Sequence, residues 1–111
     1  MINKITKEEL TEILEDHKLW LDDEDTREQA DLEYADLRDA DLSGVDLRFA
    51  NLMDADLSGV DLRFANLMDA NLSGANLSGA NLSGANLSGA SLGRASLSDA
   101  NLSGAIFWEI D

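Results

Sequence analysis

A period of five residues runs through most of this chain. From Ala30 to Ala105, alanine or valine stands at every fifth position. Two residues later comes a leucine in every pentad except the last, which has Phe107. The residue between them is Asp, Asn or Ser, apart from Ile106. Residues 30–109 are therefore sixteen copies of one pentad, A-(D/N)-L-x-x. A repeat this regular constrains the fold more than any other feature of the sequence.

A period of five fits neither regular secondary structure. On an α-helix five residues advance about 500°, so the leucines would point to all sides. On a strand an odd spacing sends successive leucines to opposite faces. The chain is instead predicted to turn once per pentad, so that every alanine and leucine points inward. Ser-Gly and similar pairs at the last two positions favour a corner there.

The repeated pentad resembles the motif of the pentapeptide repeat family. The resemblance implies an all-β solenoid, a right-handed quadrilateral β-helix in which four pentads form one coil of twenty residues. Residues 30–109 would then form about four coils, roughly 20 Å long at the spacing of β-strands. Members of the family have diverse functions, so the resemblance implies little about activity.

Residues 1–29 do not follow the repeat and are predicted to form an N-terminal α-helical cap. Thr6 is a favourable N-cap residue, and Glu9 stands where a capping box needs an acidic side chain. Ile5 and Leu10 have the spacing of a hydrophobic staple. An amphipathic helix here would cover the unpaired strand groups at the open end of a β-helix.

Candidate catalytic and metal-binding residues are scarce. The chain has one histidine, His17, and no cysteine. A single histidine without a second His or Cys ligand is a poor metal site. We assign His17 and Trp20 to packing in the cap. No nucleophile–base pair or phosphate-binding loop is recognisable. We therefore predict that the protein is not an enzyme and has no cofactor. Four aspartates of the first pentads are assigned to turn hydrogen bonds and solubility rather than to calcium binding. They are Asp31, Asp36, Asp41 and Asp46.

The charge and hydropathy of the chain limit the classes of partner that it can bind. It has 23 acidic against 8 basic residues, a net charge of -15. Direct nucleic-acid binding is disfavoured, because phosphate contact needs clustered Lys and Arg. No apolar run approaches the roughly 20 residues of a transmembrane helix, and no secretory signal is recognisable. We expect no membrane association and a cytoplasmic location. The negative charge is concentrated before residue 70.

Two functions from different classes remain open. The first is a non-enzymatic, rigid interaction scaffold with an unknown protein partner, because solenoids bind through extended surfaces. Outward-facing Phe49, Phe64 and Met68 are the candidate interaction patch, expected near one edge. The alternative is an acidic DNA mimic that acts on gyrase, another topoisomerase or another DNA-binding protein. The family resemblance and the net charge suggest it.

The C-terminal end breaks the pattern of the repeat. Phe107, Trp108 and Ile110 are bulkier than their counterparts and are expected at or near the exposed end of the last coil, with 110–111 as a short tail. They could plug that end of the solenoid. They could equally form an end-to-end homodimer, which would cover the unpaired edges of two chains at once. The sequence leaves both interpretations open.

Overall fold

The computed structural model describes residues 3–23 and 29–111 and shows a ladder with a period of twenty residues. Single parallel β-bridges join Asp31 to Asn51, Asn51 to Asn71, and Asn71 to Ser91. The next positions of the pentad series are bridged in the same way as far as Ile106. The chain thus returns above its own starting point after four pentads, as the family resemblance implies.

Backbone hydrogen bonds repeat from pentad to pentad. Leu52 N donates to Asn71 O at 2.7 Å, and Asp54 N donates to Ser73 O at 2.9 Å, so both bonds reach the following coil. Ala55 N donates to Leu52 O at 3.1 Å and closes the corner within the pentad. The fifth residue of every pentad except the second, which has Asp39, adopts a positive φ, as at Gly59 (φ 70). Ser-Gly pairs suit this corner because glycine adopts positive φ without a steric penalty.

The repeat leucines form the core along the axis of the coils. The eleven leucines from Leu37 to Leu87 are at most 2% exposed, and alanines of the same pentads pack beside them. Leu92, Leu97, Leu102 and Phe107 occupy equivalent positions in the last coil but are only partly buried. Burial therefore decreases at the C-terminal end of the ladder, although the pentad itself hardly changes.

Helix α1, Lys7–Asp23, lies before the ladder and begins with the predicted capping box. Glu9 N donates to Thr6 Oγ1 at 3.0 Å, and Thr6 N donates to Glu9 Oε1 at 3.2 Å. These two bonds satisfy backbone donors that the first turn of a helix leaves free. Four apolar side chains of the cap pack against the core of the repeats: Ile5, Leu10, Ile13 and Leu14.

A short strand that the sequence analysis does not predict precedes the helix. Strand β1, Asn3–Lys4, pairs in parallel with β2, Ala35–Asp36. β1 thus adds a rung below the second pentad of the first coil. Residues 1–2 and 24–28 belong to the predicted cap but lie outside the described residues. No helix in the described part of the chain is long and apolar enough to cross a membrane.

Candidate interaction face

The bridges of the ladder stack the pentads in four columns, and several of the predicted surface residues lie on one of them. Bridges from Asp46 to Asn66, from Asn66 to Asn86, and from Asn86 to Ile106 stack one pentad of each coil in a single column. We call this column the fourth face; it comprises residues 46–49, 66–69, 86–89 and 106–109. Its inward side chains are Leu47, Leu67, Leu87 and Phe107.

Apolar side chains of the fourth face come from separate parts of the sequence. Phe49 N donates to Met68 O at 3.0 Å, and Gly89 N donates to Trp108 O at 2.7 Å. Met68 and Trp108 therefore occupy the same outward position, two coils apart, with Ser88 between them. Trp108 is 74% exposed. The fourth face thus joins members of two groups that the sequence analysis treats separately, the interaction patch and the C-terminal end.

Phe64 stands at the corner that leads into the fourth face. Its side chain is 72% exposed, and its backbone adopts φ 61, in the left-handed region. The ring lies over Gly84 of the following coil, where it fills the space that a side chain at that position would need. Phe64 therefore borders the face on which Met68 lies.

Phe49 differs from Phe64, although the two belong to identical fifteen-residue segments. The Phe49 ring contacts Trp20 of α1 edge to face, with ring centroids 6.2 Å apart. Phe49 thus packs against the cap as well as facing solvent. Phe107 points toward the core, and Ile110 is 44% exposed. Next to Ile110, Asp111 N donates to Ala90 O at 2.8 Å and starts a new level of the ladder.

Each Asp or Asn before a repeat leucine makes a turn hydrogen bond. Asp41 Oδ1 accepts from Ser43 N at 3.0 Å, and Asn76 Oδ1 accepts from Ser78 N at 3.0 Å. The same bond occurs at Asp31, Asp36 and Asp46. This geometry accounts for Asp and Asn at this position, because both side chains cap turns in this way.

Arginines compensate the stacking of aspartates along the ladder. Asp36 lies directly below Asp56, and such like-charge neighbours are unfavourable. Arg38 lies 2.8 Å from the Asp36 carboxylate and 3.7 Å from that of Asp56. The hydrogen bond from Arg38 holds the pKa of Asp36 well below its usual range. Arg63 lowers the pKa of Asp61 in the same way.

His17 connects α1 to the first coil. Its side chain is fully buried. Ala30 N donates to His17 Nδ1 at 2.9 Å, and the distance from His17 Nε2 to Arg48 O is 2.8 Å. Trp20 stacks on the imidazole with ring centroids 5.7 Å apart. Burial lowers the pKa of His17. The packing role assigned to these two side chains agrees with this geometry.

A cleft of about 570 Å³ lies between the start of α1 and the first coil. Its floor is apolar, with Leu10, Leu14 and Leu37 among its lining residues. Charges of both signs line it, and Lys4 is already within 3.4 Å of the Asp39 carboxylate. In the described ranges no group of three acidic, His or Cys side chains is placed to hold a metal ion.

Comparison with known proteins identifies the family. A family model described as pentapeptide repeats matches residues 28–59 and 65–104, in eight copies. The chain belongs to the pentapeptide repeat family. No curated protein matches its sequence significantly.

Two solved structures of pentapeptide repeat proteins are similar to this one. The protein alr5209 from Nostoc Pcc 7120 is 36% identical, with 95% of this chain and 77% of that one covered and a TM-score of 0.77. AT2G44920 from the thylakoid lumen of Arabidopsis thaliana is 41% identical, with 69% of this chain covered and a TM-score of 0.67. The match covers 54% of the Arabidopsis chain.

Proposed function

We propose that this pentapeptide repeat protein is a non-enzymatic interaction scaffold that binds a protein partner through the fourth face and the adjoining corner. The observation that carries the proposal is the exposure of two large apolar side chains there, Phe64 and Trp108, while Met68 on the same face is partly exposed. Exposed apolar patches with a polar surround are typical of protein-binding sites. In architecture we take the repeats to be a right-handed quadrilateral β-helix of four coils.

The frame behind these side chains supports the proposal. Asn66 N donates to Val45 O, and Asn86 N donates to Ala65 O, each at 2.9 Å, so consecutive coils are linked directly below the face. Leu67 and Leu87 are fully buried behind it. A rigid frame loses little conformational entropy when a partner binds, which favours affinity.

Only one bridged position of the fourth face is charged, although Asp69 and Glu109 stand at its corners. Asp46 carries the first coil's carboxylate on this face, and it is paired with Arg48 at 2.7 Å. The equivalent residues of the following coils are Asn66, Asn86 and Ile106, which are uncharged. A partner that contacts the bridged positions would therefore meet little like-charge repulsion, whereas Asp69 and Glu109 add negative charge at the corners.

The second candidate, a DNA mimic that acts on gyrase or another DNA-binding protein, depends on exposed negative charge. Three of the ladder carboxylates are instead paired with an arginine two residues later: Asp36, Asp46 and Asp61. The acidic residues also become rare after residue 70. We therefore rank mimicry second. A supercoiling assay tests it, and no inhibition at high micromolar protein would remove it.

Partner capture tests the scaffold proposal. Immobilised wild-type protein and the double variant Phe64→Ser/Met68→Ser are exposed to the same candidate partner, and binding is quantified by interferometry. Tyr34→Ser is the matched control, because Tyr34 is also an aromatic corner residue and 42% exposed but stands at another corner. We expect the double variant to lose at least tenfold in affinity and the control to bind normally. Equal losses in both variants would contradict the assignment of this face.

A second copy of the chain is one partner that the exposed C-terminal end would suit, as an end-to-end homodimer. Light scattering of wild type and Trp108→Asp distinguishes the two states. A mass near 24 kDa that falls to 12.0 kDa in the variant supports the dimer. A 12.0 kDa mass for wild type at high concentration would contradict the homodimer, and the partner of the fourth face would then be a different protein.

A further inference from the structure

The hydrogen bonds of His17 replace two backbone bonds of the ladder, one between coils and one within a corner. In the later coils, the oxygen equivalent to Arg48 O accepts from the coil before: Phe49 N donates to Met68 O, and Asp69 N donates to Ser88 O at 2.9 Å. At Arg48 O itself the partner is His17 Nε2. The imidazole therefore supplies the donor that a preceding coil would provide.

The second ring nitrogen replaces a turn acceptor. Ala50 N donates to Leu47 O, and Ala70 N donates to Leu67 O, each at 3.0 Å. At the first repeat, Ala30 N donates to His17 Nδ1 instead. One buried ring thus provides a donor to one backbone group and an acceptor to another. Only the neutral imidazole with its proton on Nε2 can do both, because imidazolium has two donors and no acceptor.

We propose that His17 is a pH-sensitive latch that holds α1 on the first coil while neutral and releases it when protonated. Protonation at Nδ1 would place an N–H against the N–H of Ala30, so the 2.9 Å contact could no longer form. Release would expose the apolar side chains of α1 and the leucines of the first coil, a change that a partner or another copy could sense.

The charges that face His17 come from the first coil. The Asp46 carboxylate favours the charged imidazole, and the Arg48 guanidinium disfavours it. The two are paired with each other at 2.7 Å and act on the His17 pKa in opposite directions, and Asp22 of α1 acts on Arg48. The hydrogen bond to Arg48 O also raises the pKa of His17. Burial dominates, and the pKa of His17 lies below its ordinary value of 6.5.

The direction of the pH effect follows from this shift. Between the lowered pKa of folded His17 and 6.5, the released state binds a proton that the latched state excludes. The latch is therefore at full strength above pH 6.5 and weakens as the pH falls below it. The opening equilibrium rises by up to tenfold per pH unit, and it levels off below the folded pKa.

Hydrogen exchange of the Ala30 amide measures the opening. Its protection factor, which removes the intrinsic pH dependence of exchange, should fall by up to tenfold per unit as the pH drops below 6.5. His17→Gln keeps an uncharged amide that can donate to Arg48 O but cannot be protonated in this range, so its slope should be flat. The Asn76 amide, in the middle of the ladder, serves as an internal control and should show no slope in either protein. An equal slope in wild type and His17→Gln would overturn the proposal.

Nitrogen NMR of the wild-type ring provides an independent measurement, should His17→Gln fail to fold. His17 is the sole histidine, so its ring signals need no variant for assignment. The latch requires the Nε2–H tautomer at neutral pH and a titration midpoint below 6.5. A proton on Nδ1, or a midpoint at or above 6.5, would show that His17 is not a latch.

Discussion

The two ends of the ladder carry nearly the same pentad and are covered very differently. At the N-terminal end, Leu32 and Leu47 are at most 1% exposed because the cap packs next to the first coil. At the C-terminal end, Leu97 and Leu102 are only partly buried. The burial of a repeat therefore depends on what lies beside it and not on its own sequence, as expected of solenoids stabilised by neighbouring units.

Backbone partners differ between the ends in the same way. Leu77 N and Leu82 N donate to Ser96 O and Asn101 O of the last coil. The equivalent Leu97 N and Leu102 N have no backbone acceptor among residues 3–23 and 29–111. At the other end, β1 and His17 provide partners that are not repeats. At the N-terminal end, β1 and His17 thus bond backbone groups of the first coil. At the C-terminal end, Leu97 N and Leu102 N are left without a backbone acceptor in the described ranges.

The largest expected effect is the difference in stability lost when a central leucine and a terminal leucine are each replaced by alanine. Leu67→Ala removes a fully buried side chain, so we expect a loss of about 2–5 kcal/mol in the free energy of unfolding. Leu97→Ala makes the same chemical change where the side chain is already partly exposed, and it should cost less than half as much. Urea denaturation measures both values. Equal losses would mean that the end of the ladder is covered in solution.

A pair of glycine variants separates backbone conformation from crowding. An added Cβ has open space at both Gly44 and Gly93, but only Gly44 has a positive φ, at 68. Gly44→Ala should therefore destabilise the protein by about 1–2 kcal/mol. Gly93→Ala should be neutral or stabilise by up to about 1 kcal/mol, because alanine restricts the unfolded chain. Thermal denaturation of the two variants side by side provides the comparison, and a similar loss in both would contradict the backbone argument.

The capping box can be tested within the cap alone. Thr6→Ala removes the acceptor for Glu9 N and should destabilise α1 by about 1 kcal/mol. Thr11 is the matched control, since its hydroxyl bonds Lys7 O in mid-helix and alanine has the higher helix propensity. Exchange of the α1 amides should accelerate in Thr6→Ala and stay unchanged or slow in Thr11→Ala. Faster exchange in both would assign the effect to general loss of side chains.

The smallest effect concerns the exposed ion pairs of the ladder. Arg63 lowers the pKa of Asp61, so this pair stabilises the fold above the ordinary carboxyl pKa, and the contribution is lost as the pH falls through the folded pKa. Arg63→Met should therefore unfold at slightly higher pH than wild type in an acid titration followed by circular dichroism. Arg94→Met is the control, because Arg94 makes no ion pair with any residue that the structure describes. Coincident titrations of Arg63→Met and wild type would show that the pair contributes nothing.

Part of the interaction face follows from the sequence once the period is known. Met68 and Trp108 are forty residues apart, so two coils of twenty place them in one column. The two residues are nevertheless predicted in separate groups, because Met68 is compared only with Phe49 and Phe64 and Trp108 only with its neighbours at the C-terminal end. The contact of Phe49 with Trp20 cannot be predicted from the twenty-residue period, because Trp20 lies in α1, which does not belong to the repeat.

The sequence by itself determines the repeating part of this protein. Inward leucines, corners at the fifth residue and turn-capping Asp or Asn all follow from local rules that most pentads satisfy in the same way. Only the tertiary structure decides how the cap docks, where β1 pairs, and which backbone groups His17 bonds. These contacts join segments that are not related by the repeat, so no periodicity specifies them. They depend on the shape and hydrogen-bonding groups that the first coil presents after it has formed.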